Sequence, residues 1–350
     1  CRPPDTLAES TSGPSVDSAP SHGILIIREE LPLSMSQRSA ETKESSVGEL
    51  LVRAFASIRE HRLDEALVTL EDALALDFDN DEVVSSLKYV NFWQERQHAA
   101  RRIDRDVERG EYLLSQWKPF IQFAKGASGE PCERCLFALR HHVFGGALEL
   151  FQGLAKDNDD GDLLWRLGRC HKGLGNYEKA VSFMEEACVR KRDDPSMLAE
   201  LGDCYAMVNN VQKSKAFFRE AFFLGPDRID LSSLESGLIR RLIEKVEELG
   251  YQGPAVAEWV PVYGVVFGVF TVKRELRSIE YGKLKQSIYA LEREHGEAKN
   301  PEALLTPRLV NRYFWLIDHY VHSEEDPTKI DDVLLRIRSV SPEIYQQYVN

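Results

Sequence analysis

The sequence has no motif of a catalytic site. It contains no glycine-rich phosphate loop, no nucleophile elbow and no zinc-binding HExxH pattern. Its adjacent pairs His141-His142, Cys170-His171 and Asp318-His319 make poor catalytic dyads, because neighbouring side chains on a helix point about 100° apart. We therefore predict that the chain is not an enzyme and needs no cofactor.

The chain also lacks a positive charge balance. It has 57 Asp and Glu residues against 44 Lys and Arg residues, which gives a net charge of −13 at pH 7. The phosphates of a nucleic acid would on average be repelled. We predict no nucleic-acid partner.

Long apolar runs are scarce. The best candidate for a membrane span, Ala255 to Val272, contains Glu258, Pro261 and Gly264. It is about long enough to cross a bilayer, but an acid and two helix-breaking residues favour a segment buried in protein. The sequence therefore predicts a buried element there.

Cysteine is sparse and lacks the spacing of a disulfide-rich domain. The six cysteines are Cys1, Cys132, Cys135, Cys170, Cys188 and Cys204. We predict reduced, buried thiols and a cytoplasmic location. The Cys132-Glu-Arg-Cys135 sequence and the nearby His141-His142 leave zinc binding and redox chemistry open as alternatives. Because no second Cys-x-x-Cys follows, we predict no metal site.

The first 46 residues contain little that a core could bury. Pro, Ser, Thr and Gly dominate their first part, which is typical of a disordered tether. The leading Cys1 would suit the lipidated cysteine of a mature bacterial lipoprotein. The alternative location is therefore the periplasmic side of a membrane, with Cys1 as the lipidation site.

The strongest signal is a repeat of 34 residues within 161–228. The first copy carries Leu167 and Gly168 in its first helix and Ala180 and Met184 in its second. The next copy has the corresponding residues Leu201, Gly202, Ser214 and Phe218. Small residues let paired helices approach closely and large residues fill the remaining volume. The pattern therefore predicts stacked helical hairpins.

Weaker copies extend the pattern towards the N-terminus. One is centred on Ala66 and another on Ala147. We predict a tether at 1–46, a first hairpin at 47–80, a helical insert at 81–127, three repeats at 128–228 and a helical capping domain at 229–350. The predicted fold is all-α, a solenoid of helical hairpins whose open end the last domain covers.

Residues 47–80 and 128–228 resemble the tetratricopeptide-repeat (TPR) superfamily, on the period and small-residue pattern just described. The chain is also similar to a family of spirochaete TPR proteins. The segments that carry this second resemblance are GEYLLSQWK at 110–118, VYGVVFGVF at 262–270, KLKQSIYA at 283–290 and YFWLIDHY at 313–320. The superfamily implies a superhelical scaffold for peptides or proteins; the spirochaete family implies no activity.

The resemblance also implies a binding groove, lined by the first helix of each repeat on the concave face. The matching positions include Trp165, Arg169, Lys172, Asp203, Met207 and Arg140. Such a groove would be apolar with basic residues near its middle, suited to a peptide or helix that carries a carboxylate. The alternative is that Trp165 packs against the next repeat and the charges are solvated.

We therefore expect a non-enzymatic adaptor that binds a protein partner through this groove. The alternative, which rests on Cys1, is a lipid-anchored periplasmic TPR component of an envelope or transport complex that handles a small apolar ligand. In that case the membrane is reached through the lipid anchor.

Overall fold

The computed structural model describes residues 35–126, 131–154, 160–272 and 276–350. Within these ranges there are fifteen α-helices and no strand, and the structure is 81% helical, which confirms the predicted all-α helical-repeat fold. The helices are α1 (Met35–Arg59), α2 (Leu63–Leu76), α3 (Asp81–Ala100), α4 (Asp106–Gly126), α5 (Glu133–Leu154), α6 (Gly161–Gly173), α7 (Tyr177–Arg190), α8 (Pro195–Met207), α9 (Val211–Leu224), α10 (Gly237–Glu248), α11 (Pro254–Val266), α12 (Ser278–Glu297), α13 (Leu305–His322), α14 (Pro327–Val340) and α15 (Pro342–Val349). Two 3-10 turns, Pro226–Arg228 and Leu231–Ser233, separate α9 from α10.

The regular hairpins reverse direction at residues with left-handed backbone. α6 and α7 are joined through Gly175 (φ 78°), and α8 and α9 through Asn209 (φ 60°), 34 positions later. His61, between α1 and α2, has the same conformation with φ 62°. Glycine and asparagine adopt this region at lower cost than other residues. The turns therefore follow the 34-residue period of the sequence.

Close packing within these hairpins depends on the predicted small residues. A methyl group added to Gly168 would lie 2.6 Å from Met184 Cγ, and one on Gly202 would lie 3.2 Å from the backbone nitrogen of Phe218. Those distances leave no room for a larger side chain. Each element packs on the next from α2 to α9, so the hairpins stack as a solenoid.

Residues 128–160 do not form the predicted hairpin. They contain one continuous helix, α5, while residues 127–130 and 155–159 lie outside the described ranges. Gly145 and Gly146 remain helical inside α5, and a Cβ on either would lie about 3.5–3.6 Å from the His61 ring. α5 therefore passes the His61 ring without a turn.

The partner of α5 is α4, which the sequence analysis assigned to the insert at 81–127. The two helices pack so closely that a methyl group on Gly110 would lie 2.5 Å from the Phe151 ring. α4 and α5 therefore form a longer hairpin directly before α6. The predicted insert is thereby reduced to α3, which lies between α2 and α4.

The predicted tether at 1–46 falls mostly outside the described residues, as does Cys1. α1 already begins at Met35, inside that predicted tether. Residues 46–350 form one compact unit. Of the other unit, residues 1–45, the structure describes the first part of α1.

The C-terminal helices pack against the last hairpin through α11 and α13. Arg219 of α9 forms an ion pair with Asp318 of α13, and its guanidinium donates to the carbonyls of Phe270 (3.2 Å) and Val272 (2.9 Å). α11 contains most of the apolar run, and its Glu258 is buried and accepts a hydrogen bond from Arg308 Nε (2.8 Å). In the described ranges, no helix combines the length and apolar character that a bilayer span requires.

Candidate functional site

The first helices of three consecutive hairpins, α4, α6 and α8, contribute to a common surface, here called the inner face. Lys118 of α4, Arg169 and Lys172 of α6 and Glu200 of α8 line the same cavity on it. This is the face that the sequence analysis expects to be concave. It carries most of the predicted groove residues.

Lys172 and Asp203 lie deep in the inner face and pair with each other. The distance from Lys172 Nζ to Asp203 Oδ2 is 2.8 Å, and both side chains are almost completely shielded from solvent. Burial alone would lower the pKa of Lys172, but the carboxylates of Asp203 and then Glu200 raise it above its usual value. The lysine therefore remains charged and serves as the partner of a buried carboxylate.

A segment of the same chain covers this pair. We call residues 226–236, between α9 and α10, the covering segment. The Asp203 carboxylate accepts hydrogen bonds from the amides of Glu235 and Ser236, both at 2.8 Å. Lys172 Nζ donates to the carbonyl oxygen of Ser233 at 2.8 Å. These two groove positions thus anchor the chain's own backbone at the start of α10.

Arg140 holds the same segment from α5. Its Nε donates to the carbonyl oxygen of Gly173 at 2.6 Å, and its guanidinium pairs with Glu235 at 2.5 Å. Ser196 at the start of α8 donates to the carbonyl oxygen of Arg228 at 2.7 Å. The covering segment is therefore fixed to α5, α6 and α8 together.

The remaining predicted groove residues lie at the edges of this contact. Arg169 stacks over the Trp165 ring at 4.9 Å and lies 3.5 Å from Glu200 Oε1. Trp165 is half-buried and packs against the apolar core that runs from α7 to α15. Met207 is exposed at the end of α8.

Beside the covered part, the inner face opens into a cleft of about 320 Å³. α4 forms one wall of it, and α6, α8 and the covering segment form the other. Its apolar lining is Leu114, Trp117, Ile121 and Phe144. Phe144 also packs on Gly173, where an added methyl group would lie 2.2 Å from the ring. The volume is at the low end of the range for ligand pockets, enough for one or two side chains of a partner.

The cleft carries an excess of positive charge. Its basic side chains are Lys118, Lys125, Arg169, Lys172 and Arg240, and its acidic ones are Glu200, Asp230 and Glu235. Five minus three gives a local charge of +2 in a chain whose net charge is −13. A local potential of this sign attracts anionic groups of a ligand.

Two of these cations are available to a ligand. Lys118 is engaged with Asp230 at 3.0 Å across the cleft. Lys125 and Arg240 are exposed, and neither has an ion-pair partner among the described residues. The open cleft thus combines an apolar wall with two exposed cations that no described residue pairs with.

The residues of this cleft on α4, in the covering segment and on α10 were not predicted as site residues. The sequence assigns Trp117, Lys118 and Lys125 to a predicted insert and Asp230 and Arg240 to a predicted cap. The apolar spacing of Leu114, Trp117 and Ile121 predicts a helix face, but it does not indicate that this face lies opposite α6. The α4 face reaches this position because α4 packs against α5, which in turn packs against α6.

The five cysteines in the described ranges are free and buried. Across those same ranges, no group of three or more His, Cys, Asp and Glu side chains is placed to hold a metal ion. Cys132 and Cys135 lie side by side at the start of α5, away from the cleft.

Comparison with protein-family models agrees with the observed hairpins. Residues 161–194, which contain α6, α7 and the turn at Gly175, match the model described as Tetratricopeptide repeat. The chain contains a TPR. TPR proteins are typically non-enzymatic scaffolds, so the repeat supports a role in protein interaction. A search of curated proteins gave no match.

Proposed function

We propose that the chain is a protein-interaction scaffold that binds a partner in the open cleft between α4 and α6. The observation that carries this proposal is the cleft itself, where Lys125 and Arg240 are exposed beside the apolar wall of Trp117 and Ile121 and have no ion-pair partner within the described ranges. TPR arrays present their inner faces to partners. This cleft is the open part of that face.

The partner that fits is a peptide segment or helix that carries one or two apolar side chains and a carboxylate. The apolar side chains would pack on Trp117, Ile121 and Phe144, where they lose contact with water. The carboxylate would pair with Lys125 or Arg240, and Arg240 offers two parallel donors for it. The negative net charge of the chain would disfavour acidic partners elsewhere on the surface.

A charge-reversal variant tests this proposal. Tagged wild-type protein and a Lys125→Glu/Arg240→Glu variant are used to capture partners from the native organism, and proteins are identified by mass spectrometry. The matched control is Lys283→Glu/Arg293→Glu, which reverses two exposed cations on α12 and changes the net charge equally.

We expect a defined partner with wild type and with the control, and at least a tenfold loss of its affinity with the cleft variant, which is about 1.4 kcal/mol. The unpaired cations of the cleft are exposed, so the variant should unfold at the same denaturant concentration as wild type. A partner that binds the cleft variant as tightly as wild type would overturn the proposal.

The alternative, a lipid-anchored envelope component with a small apolar ligand, rests on Cys1. That residue lies outside the described ranges, so this alternative stays a prediction. The expected cytoplasmic location and the similarity to spirochaete TPR proteins also stay predictions.

A further inference from the structure

The start of α5 holds two cysteines in one hydrogen-bonded unit. Cys132 directly precedes α5, and its carbonyl oxygen accepts from the amide of Leu136 at 2.9 Å, so it occupies the capping position of the helix. The amide of Cys135 donates to Cys132 Sγ at 3.3 Å. The two thiols thus lie one helical turn apart on the same side of the helix, in the Cys-x-x-Cys spacing of redox-active cysteine pairs.

Groups from α3 surround the sulfur of Cys132. The Ser86 hydroxyl donates to Cys132 Sγ at 3.5 Å, and the Cys132 thiol donates to Glu82 Oε1 at 3.4 Å. Two donors, the amide of Cys135 and the hydroxyl of Ser86, therefore point at this sulfur. Donors aimed at a sulfur stabilise its thiolate form and a helix start adds to the effect, while the nearby Glu82 carboxylate opposes it.

The two thiols consequently differ in acidity. The pKa of Cys132 is lowered, chiefly by its hydrogen bond with the Cys135 side chain and against the effect of burial. The pKa of Cys135 is raised well above its usual value, first by burial and then by the hydrogen bond to Cys132. The difference suits a pair in which Cys132 attacks and Cys135 later resolves.

The other described cysteines provide an internal reference. Burial raises the pKa of Cys170, Cys188 and Cys204 to about 12. Cys188 is 8% exposed and Cys132 is 6% exposed. The two thiols are therefore almost equally exposed. What distinguishes Cys132 from Cys188 is the set of hydrogen bonds around its sulfur.

We propose that Cys132 and Cys135 form a reversible disulfide by exchange with a small or protein-borne disulfide. The Cys132 thiolate attacks one sulfur of the incoming disulfide and forms a mixed disulfide, while the other sulfur leaves as a thiolate and takes up a proton. Cys135 then loses its proton and attacks Cys132 Sγ, which expels the second sulfur as a thiol. Two cysteine thiols are oxidised to one disulfide, and the incoming disulfide is reduced to two thiols. This site is separate from the cleft and does not depend on the scaffold function.

Oxidised glutathione is the probe for the test. The folded full chain is incubated with rising ratios of oxidised to reduced glutathione, quenched with acid and alkylated, and each cysteine is followed by peptide mass mapping. Two variants accompany wild type. Cys132→Ser retains a good helix-capping residue, and Cys135→Ala removes the resolving thiol. Circular dichroism verifies that both are folded.

We expect wild type to form the Cys132–Cys135 disulfide, and Cys135→Ala to accumulate glutathione on Cys132. In Cys132→Ser, Cys135 should stay reduced. Cys132 should react at least about tenfold faster than Cys188, since each unit of pKa changes the thiolate fraction about tenfold. A Cys132 that reacts no faster than Cys188 in the folded chain, or a folded Cys135→Ala that acquires no glutathione, would overturn the proposal.

Discussion

The inner face has two parts that differ in how their charges are used. In the covered part, Lys172 and Asp203 pair with each other and bond to the covering segment, and Arg140 pairs with Glu235 of that segment. In the open cleft, Lys125 and Arg240 have no ion-pair partner among the described residues. A basic residue at a groove position can therefore stabilise the fold or remain available to a partner, and its burial and bonding decide which.

This difference changes which residues a binding experiment should alter. A substitution at Lys172 removes the counter-charge of a buried carboxylate, so lost binding would be confounded by lost stability. A substitution at Lys125 or Arg240 changes exposed side chains. The cleft residues are therefore the informative ones.

The largest effect is expected for Lys172→Met. The methionine retains the apolar stem but leaves the Asp203 carboxylate buried without its cation. Breaking a buried ion pair in this way lowers the free energy of unfolding by about 3 kcal/mol or more. Urea denaturation followed by circular dichroism measures it.

The control for that substitution is Lys245→Met, which removes an exposed lysine from its pair with Glu248. Exposed pairs contribute little to stability, so the control should unfold close to wild type. Equal losses in the two variants would show that the covered part of the inner face is not held by the Lys172–Asp203 pair.

The smallest effect is expected for Lys118→Ala. Lys118 pairs with Asp230 across the cleft, and both side chains are about half exposed. Removing the lysine should change the free energy of unfolding by less than about 1 kcal/mol. It should weaken the partner's binding modestly, because the cleft loses one positive charge. A large loss of stability would mean that this pair fixes α4 against the covering segment.

The regular part of the fold follows from local sequence, and the site does not. The turns at Gly175 and Asn209 and the close contacts of Gly168 and Gly202 recur at a fixed period, so the repeat predicts them. The weaker copy centred on Ala147 predicted a hairpin, but residues 133–154 form one helix that pairs with α4 through the contact of Gly110 with Phe151. Local sequence cannot supply that contact.

The candidate site depends even more on long-range contacts. The resemblance to TPR proteins placed Lys172, Arg140 and Asp203 in the groove, and they do reach the inner face or its edge. Whether such positions are open depends on the covering segment, whose Ser233 bonds Lys172 from 61 residues away and whose Glu235 bonds Asp203 from 32 residues away. The part of the cleft formed by α4 could not be predicted without knowing that α4 pairs with α5.

Site-specific photo-crosslinking tests the central claim most directly. A photoreactive phenylalanine derivative replaces Gln122, an exposed glutamine that lines the cleft, and in a second protein it replaces Gln286, an exposed glutamine on α12. Both proteins are irradiated in the native organism, and crosslinked species are identified by mass spectrometry. We expect one defined partner to be crosslinked from position 122 and to be absent from position 286. A partner captured from position 286 and not from position 122 would contradict it.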